Sequence, residues 1–170
     1  HGSLAYCPSS NMFLADGVTD LPHMLRAGVR VGLGSDGACS NNRISVFEEM
    51  RMAALLQKAN TCDAMCVNYA DAFRMGTENG GMLLDLPVGA IRAGYRADFV
   101  GVATDDLSMQ PVSASGEQLL PNLVYSMQPG AIRRVVVGGR TTVADGRLRT
   151  VAEARIVERV AQTMRHLEAE

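Results

Sequence analysis

The chain mixes short apolar runs with stretches in which apolar residues recur every three or four positions. The runs predict buried strands and the recurrences predict amphipathic helices. Ser3–Tyr6 is the first strand candidate. Cys7-Pro8-Ser9-Ser10-Asn11 after it reads as a loop, since proline and small polar residues favour turns. Thr19 or Asp20 can cap a helix with Pro22 in its first turn, Leu21, Met24 and Leu25 as its stripe, and Gly28 at its end. Residues 29–33 form a second strand candidate that runs into Gly34-Ser35-Asp36-Gly37. Strand, loop, helix and strand in this order is the repeat of an α/β fold with parallel strands.

A long helix is predicted over 44–58, with Phe47, Met50, Ala54 and Leu55 on one face. Further helices come after it, over 67–75 and, capped by Thr77, toward Leu84. Past Pro87 the character changes: Gly89 and Gly94 mark turns, residues 99–103 and 132–137 read as strands, and 119–126 as a helix. Gly138-Gly139 predicts a tight hairpin into 140–143, Asp145-Gly146 makes another turn, and residues 151–170 form a charged helix striped by Ile156, Val160, Met164 and Leu167. Residues 1–95 therefore read as an α/β portion, 96–150 as a small β unit and 151–170 as a terminal helix.

A length of 170 residues suffices for one domain with a core. A formal net charge of −2 gives no electrostatic attraction to nucleic acid or an anionic membrane. No apolar run approaches the roughly 20 residues of a membrane span, and no signal peptide is visible at the start. Cys7, Cys39, Cys62 and Cys66 form no Cys-x-x-Cys pair and read as reduced thiols of a cytoplasmic protein. The opening His1-Gly2-Ser3, with no initiator methionine, reads as the start of a fragment.

Asp36 is the leading candidate for chemistry. It lies just past the end of a buried strand between two glycines, where parallel α/β folds place their sites. The competing reading is a turn-capping aspartate. Ser40, Asn41 and Asn42 can bind substrate, orient Asp36 or cap the next helix. Asn11 can bind substrate or brace its loop, provided the two strands are parallel neighbours. His1, His23 and His166 form no metal-binding pair. A catalytic zinc needs about three protein ligands, so one carboxylate is not enough. Phosphate-binding glycine loops and a nucleophile elbow are absent from the sequence. The methionines read as core filler. Glu48-Glu49 reads as a solvated helix edge, with Glu49 open to turning inward.

Three stretches together carry a family resemblance: Cys7-Pro-Ser-Ser-Asn11, then Val29-Arg-Val-Gly-Leu-Gly-Ser-Asp-Gly-Ala-Cys-Ser-Asn-Asn42, then Phe47-Glu-Glu-Met-Arg-Met-Ala-Ala-Leu-Leu-Gln-Lys58. They resemble the cytosine-deaminase-like branch of the amidohydrolases, and within it the S-adenosylhomocysteine/methylthioadenosine deaminase group. Val88 to Asp98, Leu123 to Ser126 and Val135 to Gly146 extend the resemblance over nearly the whole chain. It implies the C-terminal part of a (β/α)8 TIM-like barrel plus part of a small composite β-sandwich. Residues 3–6 then match barrel strand seven, and residues 29–33 match strand eight. Asp36 matches the strand-eight aspartate that binds the metal and shuttles protons. Tyr6 stands where many relatives carry histidine.

The implied reaction is hydrolytic deamination of an amino-substituted heterocycle (an adenosine-type nucleoside, purine or pterin) with release of ammonia. The implied cofactor is a divalent metal, zinc first and iron second, whose other ligands lie outside this chain. The implied partners are the small heterocyclic substrate and the remainder of the barrel. Neither nucleic acid nor membrane is expected, and a homo-oligomer is left open. Triazine or other C–N and C–Cl hydrolysis on the same scaffold is the alternative reaction. An inactive truncated relative is the alternative from another class, and the segment alone is expected to be inactive.

Overall fold

A computed structural model describes residues 2–168 of the chain. His1, and the last two residues of the predicted terminal helix, lie outside the described residues. The chain folds as two compact units: residues up to 95 together with 104–127, and residues 96–103 together with the chain from 128 onward. The stretch 104–127, which the sequence groups with the small β unit, folds with the first unit instead.

In the first unit, β1 (Ser3–Tyr6) and β2 (Arg30–Leu33) pair in parallel, with Ser3 opposite Arg30 and Tyr6 opposite Leu33. Between them run α1 (Pro8–Leu14) and α2 (Leu21–Arg26). The first of these corrects the sequence reading. Pro8 does not extend a loop but opens a helix at its first position, where its missing N–H costs nothing and its fixed φ is already helical. Asp20 caps α2 through His23 N, so of the two predicted caps the aspartate takes the role. α3 (Val46–Thr61) is capped by Ser45, not by any residue of 40–42. Its buried face is Glu49, Met50, Ala53, Ala54 and Gln57, whereas Leu55 is exposed.

α4 (Tyr69–Gly76) starts with a capping box between Asn68 and Asp71. α5 (Glu78–Leu83) comes directly after it. Thr77 precedes α5 but does not cap it, because its hydroxyl donates back to Phe73 O at 2.7 Å. A 3-10 turn (Leu107–Met109) and α6 (Leu119–Tyr125) complete the unit. Its core joins Tyr6, Leu21, Val31, Met50, Ala53, Ala54, Val67, Ala72, Met75 and Val124. Gln57 is buried among them and donates to Thr19 O at 2.8 Å and to the Tyr6 hydroxyl at 3.3 Å. Burial pushes that phenol's pKa up.

The second unit is one antiparallel sheet in the order β3 (Phe99–Val102), β4 (Ile132–Val137), β5 (Arg140–Ala144) and β6 (Arg147–Leu148). Gly138 and Gly139 both have positive φ, the backbone that a two-residue hairpin turn requires. The helix α7 (Glu153–Leu167) exposes Ile156, Val160, Met164 and Leu167. Among the described residues there is one layer of this sheet, two strands of a parallel one, and no helix long and apolar enough to cross a membrane. Cys7, Cys39, Cys62 and Cys66 are free thiols, and His23 and His166 are exposed.

Two loop glycines test this packing. Both Gly17 and Gly89 have positive φ, but only at Gly89 would a Cβ meet backbone, 2.6 Å from Thr77 O. Gly17→Ala is expected to cost about 1–2 kcal/mol from the left-handed backbone alone. Gly89→Ala adds an overpacking cost of about 1–3 kcal/mol. Urea unfolding of the two variants should therefore rank Gly89→Ala clearly below Gly17→Ala. Equal losses would contradict the packing described.

Candidate functional site

The parallel register brings the ends of β1 and β2 side by side, and Gly34 N donates to Tyr6 O at 3.0 Å across them. Beyond that bond both chains leave the sheet at the same end. One enters α1 and the other turns through Ser35, Asp36 and Gly37. Asp36 takes a left-handed φ of 58°, a conformation that short polar side chains tolerate. Gly37 O then accepts from Ser40 N at 3.1 Å and from Asn41 N at 2.9 Å, which closes the turn.

These two segments converge on the Asp36 carboxylate. Its Oδ2 accepts from Ser10 Oγ and from Ser40 Oγ, both at 2.7 Å, and its Oδ1 accepts from Gly37 N at 2.7 Å. An ionised carboxylate has about four acceptor positions, so the open one lies on Oδ1. Ser40 Oγ also lies 3.1 Å from Gly37 O. Its single hydrogen prefers the charged acceptor but has a second within reach. The donors hold the Asp36 pKa below the ordinary carboxylate range, with Ser10 the largest contributor, then Ser40, then Gly37 N. The nearby Cys7 thiol is pushed up, first by burial and then by the charge of Asp36, so it stays protonated at neutral pH.

Behind the carboxylate lies a second network. Asn41 Nδ2 donates to Ser35 O at 2.9 Å and to Glu49 Oε1 at 2.8 Å, and its Oδ1 accepts from Arg43 N at 3.1 Å. Glu49 Oε2 accepts from Ser9 N at 3.0 Å. Asn41 and Glu49 are 5% and 0% exposed. A shallow groove beside the network is lined by Met12, Phe13, Met52 and the Arg43–Glu48 ion pair, which measures 2.9 Å. Ser9 and Asn41 reach this groove, and Asp36 does not line it.

Of the residues picked out by sequence, Asp36 and Ser40 are brought into direct contact. Asn41 spends both amide hydrogens on Ser35 and Glu49, so it braces the turn and has no donor left for a substrate. Asn42 is exposed. Asn11 lies in α1, where its backbone N–H bonds Cys7 O, and the place on Asp36 belongs to its neighbour Ser10. Ser10 escaped the sequence reading. Taking Pro8 as a helix opening would have put Ser9 and Ser10 in a first turn facing the other strand end. Glu49 turns inward. Among the described residues no three His, Cys, Asp or Glu side chains come together as a metal site. Asp36 with its open Oδ1 position fits a metal as a single hard oxygen ligand, and further ligands would have to come from elsewhere.

The amidohydrolase family model matches residues 2–142. A protein of Syntrophomonas wolfei subsp. wolfei named 5-methylthioadenosine/S-adenosylhomocysteine deaminase is 35% identical over 96% of this chain and 38% of its own length. A protein of Methanocaldococcus jannaschii named 5'-deoxyadenosine deaminase is 34% identical over 94% of this chain and 37% of its own. The crystal structure of an adenosine deaminase from Xanthomonas campestris with bound zinc superposes with a TM-score of 0.91 at 30% identity. The match covers 99% of this chain and 38% of that one. The chain thus spans well under half the length of the relatives it matches.

The donors around Asp36 make a titration prediction for the metal-free protein. Ser10→Ala and Ser40→Ala should each move the Asp36 titration upward, and the double variant should bring it closest to the ordinary value of about 3.9. The folded pKa is depressed, so the linked stability is present above the unfolded pKa and is lost as pH falls through the folded one. The double variant should therefore lose less stability on acidification below about pH 4 than the parent does. Carboxyl carbon-13 titration by NMR reads the first effect and acid unfolding the second. An unmoved Asp36 titration would contradict the hydrogen bonding described.

Proposed function

Since the chain belongs to the amidohydrolase family, we propose that it is the C-terminal portion of a metal-dependent deaminase acting on an adenosine-type nucleoside. The observation that carries this reading is the Asp36 carboxylate, anchored at the common end of two parallel strands with an acceptor position open on Oδ1. Residues 1–95 are assigned to a (β/α)8 barrel whose other strands lie outside this chain. The stretch 104–127 folds with that portion, residues 96–103 and 128–148 are assigned to one part of a composite β-sandwich, and α7 is the terminal helix.

Asp36 has two tasks in this reading. As a ligand it offers Oδ1. As general base it would take a proton from the attacking water, whose oxygen bonds the carbon carrying the amino group, and would then deliver that proton to the amino group, which leaves as ammonia as its bond to that carbon breaks. The second acceptor position comes from Ser40. When its hydrogen turns from Oδ2 to Gly37 O, 3.1 Å away, Oδ2 is freed to receive a proton. Ser10 keeps its bond and so holds the carboxylate in place during the turn. A divalent metal, zinc first and iron second, supplies the lowering of a water's pKa toward neutrality. The relatives at 34–35% identity carry deaminase names, which favours deamination over triazine hydrolysis. Four free thiols fit a reducing compartment, and the cytoplasm is the proposed location.

The test uses the full-length protein that carries this segment, loaded with zinc. Ammonia release is measured from adenosine, 5'-deoxyadenosine, methylthioadenosine and S-adenosylhomocysteine, with guanine, a pterin and a triazine alongside. At least one adenosine-type nucleoside should be the best substrate by kcat/KM, and Asp36→Asn should lower that value by about 10²–10⁴-fold. No turnover of any aminated purine, or an Asp36→Asn variant within tenfold of the parent, would overturn the proposal.

A further inference from the structure

Building on the deaminase reading of Asp36, we propose that Glu49 is a positioning residue: one buried carboxylate that holds both strand-end segments against Asp36. It comes from a third element, α3, and is 0% exposed. Each oxygen takes one bond from one segment, Oε2 from Ser9 N at 3.0 Å and Oε1 from Asn41 Nδ2 at 2.8 Å. Ser9 precedes Ser10, and Asn41 comes just after Ser40, the two hydroxyls that meet on Asp36 Oδ2. Asn41 is also tied to Ser35 O at 2.9 Å, directly before Asp36. Glu49 therefore bonds the sequence neighbour of each serine and, through Asn41, the backbone beside the aspartate itself.

A buried carboxylate is costly unless its oxygens are satisfied, and Glu49 spends one on each segment. An amide is a poor substitute. Asn41 has spent both N–H groups and accepts Arg43 N on Oδ1, so it cannot turn over to meet a donor. Glu49→Gln keeps the size of the side chain but faces two N–H groups with a single oxygen. One of the two segments must let go, and the serine beside it shifts on Asp36. Gln57, on the same buried face of α3, bonds Tyr6 and Thr19 and neither serine segment, which makes it the control.

The experiment uses the full-length, metal-loaded protein and compares Glu49→Gln, Glu49→Asp and Gln57→Met. Glu49→Gln should lower kcat by about 10- to 100-fold, the scale of a small misplacement of reacting groups. KM should stay within about threefold, since the substrate contacts are not those altered. Metal content should match the parent. Glu49→Asp keeps both acceptors and should recover part of the lost kcat; it carries the comparison should the glutamine variant fail to fold. Gln57→Met should lose stability while keeping kcat. Amide exchange in Glu49→Gln should quicken in at least one of the segments 7–11 and 34–42. A kcat that is unchanged, or that falls only in step with folded, metal-loaded protein, overturns the proposal. A parent protein without deaminase activity instead removes the functional reading. Exchange then decides the bracing alone: loss of protection in either segment supports it and unchanged exchange in both overturns it.

Discussion

The parallel pairing of β1 and β2 is the constraint on which the rest depends. Parallel neighbours end on the same side, so the segments after Tyr6 and Leu33 emerge together and can both reach one carboxylate. Had the strands been antiparallel, Ser10 and Ser40 would have left from opposite ends of the pair. The serines bond a single oxygen of Asp36, at 2.7 Å each, and a backbone N–H takes the other oxygen. This arrangement fixes the direction of the carboxylate. It also leaves an acceptor position open in a group held in its ionised form well below neutral pH.

The site is layered behind that carboxylate. Asp36 is exposed, the serines and Asn41 are buried, and Glu49 is closed off entirely on α3. The layers spend their hydrogen-bonding capacity on one another. This is why two of the polar residues beside the aspartate are unavailable to a ligand in the way their types suggest. Asn41 has no free N–H, and the hydroxyl of Ser40 is shared between Asp36 and Gly37. Such fully bonded buried networks specify a single arrangement. They also transmit the loss of one member to its neighbours.

Strands and long helices were legible in the sequence because their cause is local. Ile132–Val137 and the double-glycine turn after it are fixed by β-branched residues and by positive φ. Asp36 stood out as a candidate from its place after a strand and between glycines. Three features were not legible. Pro8 read as a loop former because its role at a helix's first position depends on whether residues 9–14 continue as a helix. Ser10 was invisible as a site residue because its partner lies 26 positions away. Asn41 has the type and position of a ligand-binding residue, and only its three bonds reveal a brace. The buried face of α3 differed for a related reason. Glu49 and Gln57 are polar, yet they turn inward to meet donors and acceptors on other elements, while apolar Leu55 is left outside.

The central claim is that Asp36, placed by this bonding, is a working member of a metal site completed by residues outside the chain. Diffraction at the metal absorption edge, on crystals of the full-length zinc-loaded protein, tests it most directly. Anomalous density is expected within coordination distance of the Asp36 carboxylate, with Ser10 still bonded to Oδ2. A metal bound in the same protein with Asp36 remote from it would rule out Asp36 as a ligand.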